Sequence, residues 1–139
     1  MEKNLSHYVE TYGPYPAWKH TAAHYFPCGE AMYPRLLEDL ERAEKFIFLE
    51  FFIVKSGTMW DGIEAILKRK AAEGVDVRLI YDDFGSLLGL PSDFVIRMER
   101  SHIRCIPFNP VVPLVSLVMN HRDHRKIVVI DGNVPTPAA

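Results

Sequence analysis

Apolar and polar residues alternate along the chain with a period that changes, and each change marks an element. From Glu30 to Glu44 the residues Met32, Leu36, Leu37, Leu40 and Ala43 recur at helical spacing, with Pro34 expected in the first turn, where a missing N–H costs nothing. Lys45 to Val54 is an apolar and aromatic run interrupted only by Glu50, which predicts a buried strand. Thr58-Met59-Trp60-Asp61 then has the form of a capping box, Trp60, Ile63, Ile66 and Leu67 share one helical face, and Gly74 supplies a stop. Strict alternation follows in Val75, Val77, Leu79 and Tyr81 against Asp76, Arg78, Ile80 and Asp82, the period of a strand. Ser92 to Arg100 fits a short helix, His102 to Phe108 a further strand, and Ile127 to Ile130 another.

Strands separated by helices predict an α/β sheet, at least partly parallel, flanked by helices. Around this core lie segments without a period. Residues 1–29 read as an irregular, aromatic lead-in punctuated by Gly13-Pro14-Tyr15-Pro16. Residues 109–119 form an apolar connector with two prolines, read here as a lip facing lipid or a partner in preference to a loop over the core. Residues 30–134 make up the expected domain, and 135–139, with Pro135 and Pro137, an atypical tail unsuited to a central strand.

Composition narrows the classes without choosing one. A chain of 139 residues suits a single domain with a sizeable core. Sixteen Lys and Arg against 18 Asp and Glu leave a net charge of −2, which speaks against a broad nucleic-acid footprint. Cys28 and Cys105 lack the pair spacing of a zinc site and read as free thiols in a reducing compartment. The chain has no apolar run of about 18 residues, so neither a spanning helix nor a signal peptide is expected within it. Asp82 and Asp83 end a strand before Phe84-Gly85. Turn capping is expected of them in preference to magnesium binding.

The richest chemistry lies in Asn120-His121-Arg122-Asp123-His124-Arg125-Lys126, directly before the last apolar run. A neutral imidazole can attack phosphorus and form a phosphohistidine, dividing one difficult displacement into two easier ones. His124 is the candidate nucleophile. Two residues on in an extended chain, Lys126 returns to the same face and brings an ammonium to the phosphate oxygens, with no metal or cofactor required. Asn120 and Arg122 have the same parity and are candidate phosphate-binding residues. Asp131, followed by Gly132, breaks that parity, and a bend is expected to let its carboxylate orient an imidazole. Glu50, a charge inside an apolar strand, is a candidate for the wall of the same site, balanced against a salt-bridged structural glutamate. A zinc site from His121 and His124 ranks last, because adjacent parities point the two rings to opposite faces.

His124, Lys126 and Asp131 form His-x-Lys-x4-Asp, which resembles the signature of the phospholipase D superfamily. The wording from Asn120 to Gly132 is especially similar to the first such motif of bacterial cardiolipin synthases. The likeness extends in order through Tyr25-Phe26-Pro27-Cys28-Gly29-Glu30, Phe46 to Ile53, Met59-Trp60, Tyr81 to Ser86 and Phe108-Asn109-Pro110, covering about Tyr12 to Val134. It implies a phospholipase D-like layered sheet, incomplete at its C-terminal end, and a Glu50 near the active site. It also implies phosphatidylglycerol as donor and acceptor, with cardiolipin and glycerol as products. The family's strand ending in Gly-Gly, and its second His-x-Lys-x4-Asp half, have no counterpart in this sequence. The expected partners are therefore a membrane lipid surface and either a second phospholipase D half or a homodimer partner, with the parent enzyme at the cell membrane, its active domain cytoplasmic, and this chain alone soluble. A homodimeric phosphodiesterase or nuclease, and an inactive folded fragment, are the competing readings.

Overall fold

The structure, a computed structural model, describes residues 2–13, 22–111, 122–132 and 134–137. Along these run α1 (Glu2–Tyr12), α2 (Gly29–Glu41), β1 (Phe46–Phe51), α3 (Thr58–Ala72), β2 (Asp76–Asp82), α4 (Asp83–Ser86), α5 (Phe94–Arg100), β3 (Arg104–Phe108), β4 (Ile127–Ile130) and β5 (Val134–Pro137). The strands form one sheet in the order β3-β2-β1-β4-β5. β1, β2 and β3 run parallel, whereas β4 lies antiparallel to β1 and to β5, so the sheet is mixed.

Register explains the core. Ile47 pairs with Val77 and Ile130, and Leu49 with Leu79 and Val128, which places these residues on one face. That face is buried against Leu36 and Leu40 of α2, Trp60, Ile63 and Leu67 of α3, and Phe94 and Met98 of α5. Cys105 of β3 joins them, and burial pushes its thiol up to about 12. The opposite parity carries Phe48, Ile80, Ile106 and Ile127, with Arg78 stacked 4.7 Å over Phe48. Ile80, Ile106 and Ile127 remain exposed.

Four local expectations change. The lead-in is not wholly irregular, because α1 occupies Glu2–Tyr12. Tyr8, Val9 and Tyr12 form a helical stripe there that the Gly-Pro turn beyond it obscured. Pro34 lies beyond the first turn, since α2 begins at Gly29. Packing by Met32, Leu36 and Leu40 sustains the helix through the missing donor, as does the Tyr33 hydroxyl, which donates to the carbonyls of Thr58 (3.3 Å) and Met59 (3.1 Å). The N-cap of α3 is Gly57 and not Thr58, and only half of the expected box forms, with the Gly57 N–H donating to Asp61 Oδ1 at 3.2 Å. Finally, edge strand β5 (Val134–Pro137) runs on from the expected domain into the expected tail. Alternate residues of a strand address opposite sides, so Pro135 and Pro137 share the side that needs no donor.

Asp131 closes the sheet at the far end of β4. It takes the left-handed conformation at φ 53°, which an aspartate tolerates, and its carboxylate accepts N–H bonds from Glu44 (2.8 Å), Lys45 (2.8 Å) and Phe46 (2.9 Å). Its own N–H donates to Phe46 O at 3.1 Å. Burial pushes this carboxyl up, but the donors of Glu44, Phe46 and Lys45 together outweigh it and hold it below its ordinary 3.8. A lowered carboxyl contributes stability above its unfolded value and loses it as the pH falls through the folded one. Asp131→Ala should therefore cost about 2 kcal/mol at neutral pH in urea unfolding. The gap to the wild type should close as the pH drops below the ordinary aspartate range. A variant as stable as the wild type at pH 7 would show that the clamp is dispensable.

Candidate active site

Parallel strands β1 and β2 deliver their carboxyl ends to one edge of the sheet, where ligand loops of α/β folds gather. Because β4 runs antiparallel to β1, with Glu50 opposite Ile127, the segment leading into β4 arrives at that same edge. Three segments thus meet there: residues 52–56 after β1, residues 83–90 after β2, and residues 122–126 before β4.

Their junction is Asp82, which is fully buried. Its carboxylate accepts the N–H of Gly85 at 2.9 Å and the N–H of Asp123 at 3.1 Å, and Arg122 Nη1 lies 3.6 Å away. The expected turn-capping role is thereby observed, together with a tie to β4 that sequence reasoning missed. Ser86 completes the seam, accepting the Val54 N–H at 2.9 Å. A side chain at Gly85 would collide with the carbonyl of Phe52, so glycine is what permits these backbones to approach.

On this frame His124 and Lys126 come together. Lys126 Nζ is 3.0 Å from His124 Nδ1, 3.2 Å from Nε2 and 2.9 Å from the His124 carbonyl oxygen. Phe52 backs the pair, with ring centroids 4.7 Å apart for Phe52 and His124 and Lys126 Nζ 5.6 Å from the Phe52 ring. The imidazole is exposed and the lysine half-buried, so both are open to a ligand from solvent.

Asp123 and Arg125 point elsewhere. Arg125 grips Asp123 side-on through one guanidinium edge, Nε to Oδ1 at 3.0 Å and Nη2 to Oδ2 at 3.1 Å, and its Nη2 reaches Glu50 Oε1 at 2.7 Å. Hydrogen bonding to the Asp123 carboxylate, which accepts from the protonated form, pushes the Glu50 carboxyl up, burial adds to this, and the Arg125 charge opposes it. Asp123 moves the other way, held well below the carboxylate range first by its hydrogen bond with Arg125. The two carboxyls therefore favour a shared proton on Glu50. Neither Asp123 nor Arg125 was singled out from the sequence, although opposite charges two residues apart in an extended segment share a face.

The remaining sequence candidates are dispersed. Glu50 lies on the strand beside β4, but its carboxylate engages Arg125. Arg122 does not share a row with His124 and Lys126. It lies by Asp82, bonds the Asn109 carbonyl at 3.3 Å and stacks 4.8 Å from the Phe84 ring. The buried Asp82 carboxylate, which accepts the N–H of Asp123, holds this end of the segment. Asn120 and His121, and with them the zinc alternative, lie outside the described residues, as does most of the 109–119 connector. Asp131 cannot orient His124, because it ends β4 at the opposite edge, roughly 20 Å along an extended chain. Among the described residues no cluster of three His, Cys, Asp or Glu side chains converges for a metal.

No protein-family model matches the chain. An uncharacterized protein of Streptococcus mutans is 44% identical over 131 residues, which are 94% of this chain and 28% of that protein. A cardiolipin synthase of Geobacillus thermodenitrificans is 33% identical over 134 residues, 96% of this chain and 26% of the relative. A cardiolipin synthase of Oceanobacillus iheyensis is 35% identical over 109 residues, covering 78% and 22%. This chain thus spans 22% to 28% of these relatives. Among solved structures, an archaeal chromatin protein, TrmBL2, described as showing a novel mode of DNA binding, superposes with a TM-score of 0.52 at 14% identity. The match covers 93% of this chain and 44% of that one, and establishes a shared fold alone.

The Glu50, Asp123 and Arg125 cluster makes a direct prediction. Removing the Arg125 charge, which opposes the rise at Glu50, should move the Glu50 carboxyl further up in Arg125→Ala, and Asp123 should also rise because its strongest hydrogen bond is lost. Side-chain carboxyl NMR titration reads both shifts, and unchanged midpoints would show that the guanidinium does not govern the pair.

Proposed function

This chain belongs with the bacterial cardiolipin synthases, a branch of the phospholipase D superfamily, and from that premise we propose that it carries one catalytic half of a phosphatidyltransferase. The observation that supports this most is the meeting of the Lys126 ammonium and the His124 imidazole at the edge where three loops converge. In the proposed reaction a His124 ring nitrogen attacks the phosphorus of phosphatidylglycerol and the bond from phosphorus to the glycerol oxygen breaks. The departing glycerol oxygen takes a proton from a general acid on the far side of phosphorus. A second phosphatidylglycerol then gives its hydroxyl oxygen to phosphorus, its proton passes to that same group, and cardiolipin leaves with His124 free. Lys126 holds the phosphoryl oxygens as charge builds on them, in a site needing neither metal nor cofactor. Arg122 and Glu50 act behind the pair, fixing the segment that carries it, and Asn120 completes the phosphate contacts. The membrane is the source of both lipids, although no helix among the described residues is long and apolar enough to cross one.

One histidine placed for attack does not also reach the leaving oxygen, so the general acid comes from a second His-x-Lys half or a homodimer partner. The test supplies phosphatidylglycerol in detergent micelles to the chain alone, and to the chain mixed with the remaining portion of a Geobacillus relative, and measures released glycerol. No product is expected alone. With the second portion, His124→Ala should reduce release by about 1000-fold or more and Lys126→Ala by about 100-fold. Release indifferent to His124 would refute the assignment of the nucleophile.

A further inference from the structure

Residues 87–90 form a turn whose tip is apolar. Leu88 is 99% exposed, Leu87 53%, and beside them Ile53 and Phe84 are 57% and 48% exposed. Water does not favour such a tip, and a flexible turn would fold it inward. Here the backbone forbids that. The Ser86 hydroxyl takes the Val54 N–H at 2.9 Å, the Ser56 N–H donates to Gly89 O at 3.1 Å, and a Cβ at Gly89 would come within 2.8 Å of the Val54 carbonyl. The apolar tip is therefore held out by the same seam that positions Phe52 behind His124.

Lys55 is exposed next to the turn, and Lys126 is within the site. The acids there are already committed: Asp82 to Gly85, Asp123 and Arg122, Asp83 to the Val111 N–H at 2.8 Å, and Asp123 and Glu50 to Arg125. Exposed leucines flanked by cations match the layering of an anionic bilayer, with acyl chains beneath phosphate headgroups.

We infer that Leu87 and Leu88, with Ile53 and Phe84, form a membrane-inserting tip that seats the His124 edge on an anionic phospholipid surface. The inference rests on the proposed phospholipid chemistry and names how the site meets its substrate: the tip enters the acyl layer while Lys55 stays at headgroup level. A tip locked to the catalytic loops fixes the height of His124 over the bilayer.

The test is co-sedimentation of the purified chain with vesicles of phosphatidylglycerol and phosphatidylcholine, and with phosphatidylcholine alone, comparing wild type with the Leu87→Ser/Leu88→Ser variant. Both positions are exposed, so the variant should keep the wild-type circular dichroism and melting curve. Its affinity for the anionic vesicles should fall at least about tenfold, because two leucine side chains no longer leave water. The wild type should bind pure phosphatidylcholine more weakly. Equal binding by variant and wild type, or no wild-type binding to anionic vesicles, would overturn the inference. So would a wild-type dimer, seen by sedimentation, that the variant converts to monomer, since the tip would then be a protein interface. Binding is read without turnover, so failure here leaves the His124 chemistry standing, and an inactive His124 leaves this result standing.

Discussion

Everything at the candidate site hangs on the buried carboxylate of Asp82. A carboxylate without solvent must find donors inside the protein, and Asp82 finds them on two separate segments, the Gly85 N–H of its own turn and the Asp123 N–H ahead of β4, with Arg122 supplying the countercharge. That one group thus joins two neighbouring loops, and the Ser86 hydroxyl ties in the third through the Val54 N–H. Losing any of these donors would leave a buried oxygen unpaired, a cost that chain entropy in loops of this length does not offset.

From that frame the alternation of residues 123–126 divides the work. Asp123 and Arg125 turn to Glu50 and lock the segment to β1, while His124 and Lys126 turn to Phe52 and the solvent. Fixing and reacting groups are interleaved in sequence but separated in space. This arrangement lets a segment outside the ladder hold an imidazole and an ammonium in register. The same seam, through Ser86 and Gly89, carries the apolar turn, so substrate approach and substrate chemistry share one scaffold.

Much of this was legible in the chain and some was not, for identifiable reasons. The strands that became β1, β2 and β3 announced themselves because burial on a sheet imposes a period of two on Val77, Leu79 and Tyr81, and a continuous apolar run on Phe46 to Phe51. An α/β sheet, at least partly parallel and flanked by helices, followed. The pairing of His124 with Lys126 was also visible, since a spacing of two survives in any extended segment. Arg122 is drawn instead to the buried Asp82, 3.6 Å away, a partner that spacing along the chain does not reveal. Asp131 was misread for a different reason. Its partners, the N–H groups of Glu44, Lys45 and Phe46, lie more than 80 residues away, and only the antiparallel return of β4 along β1 brings them together.

The claim on which the account turns is that His124 and Lys126 form one site for the oxygens of a phosphate ester. It is tested most directly by titrating the purified chain with vanadate or inorganic phosphate while following the ring resonances of His124 and the Nζ resonance of Lys126 by NMR. Both should move together along one binding curve, and the His124 response should disappear in Lys126→Ala while Asp131 is unaffected in either protein. Resonances that stay still, or that move only at Arg78 and Arg104 on the open face of the sheet, would contradict it.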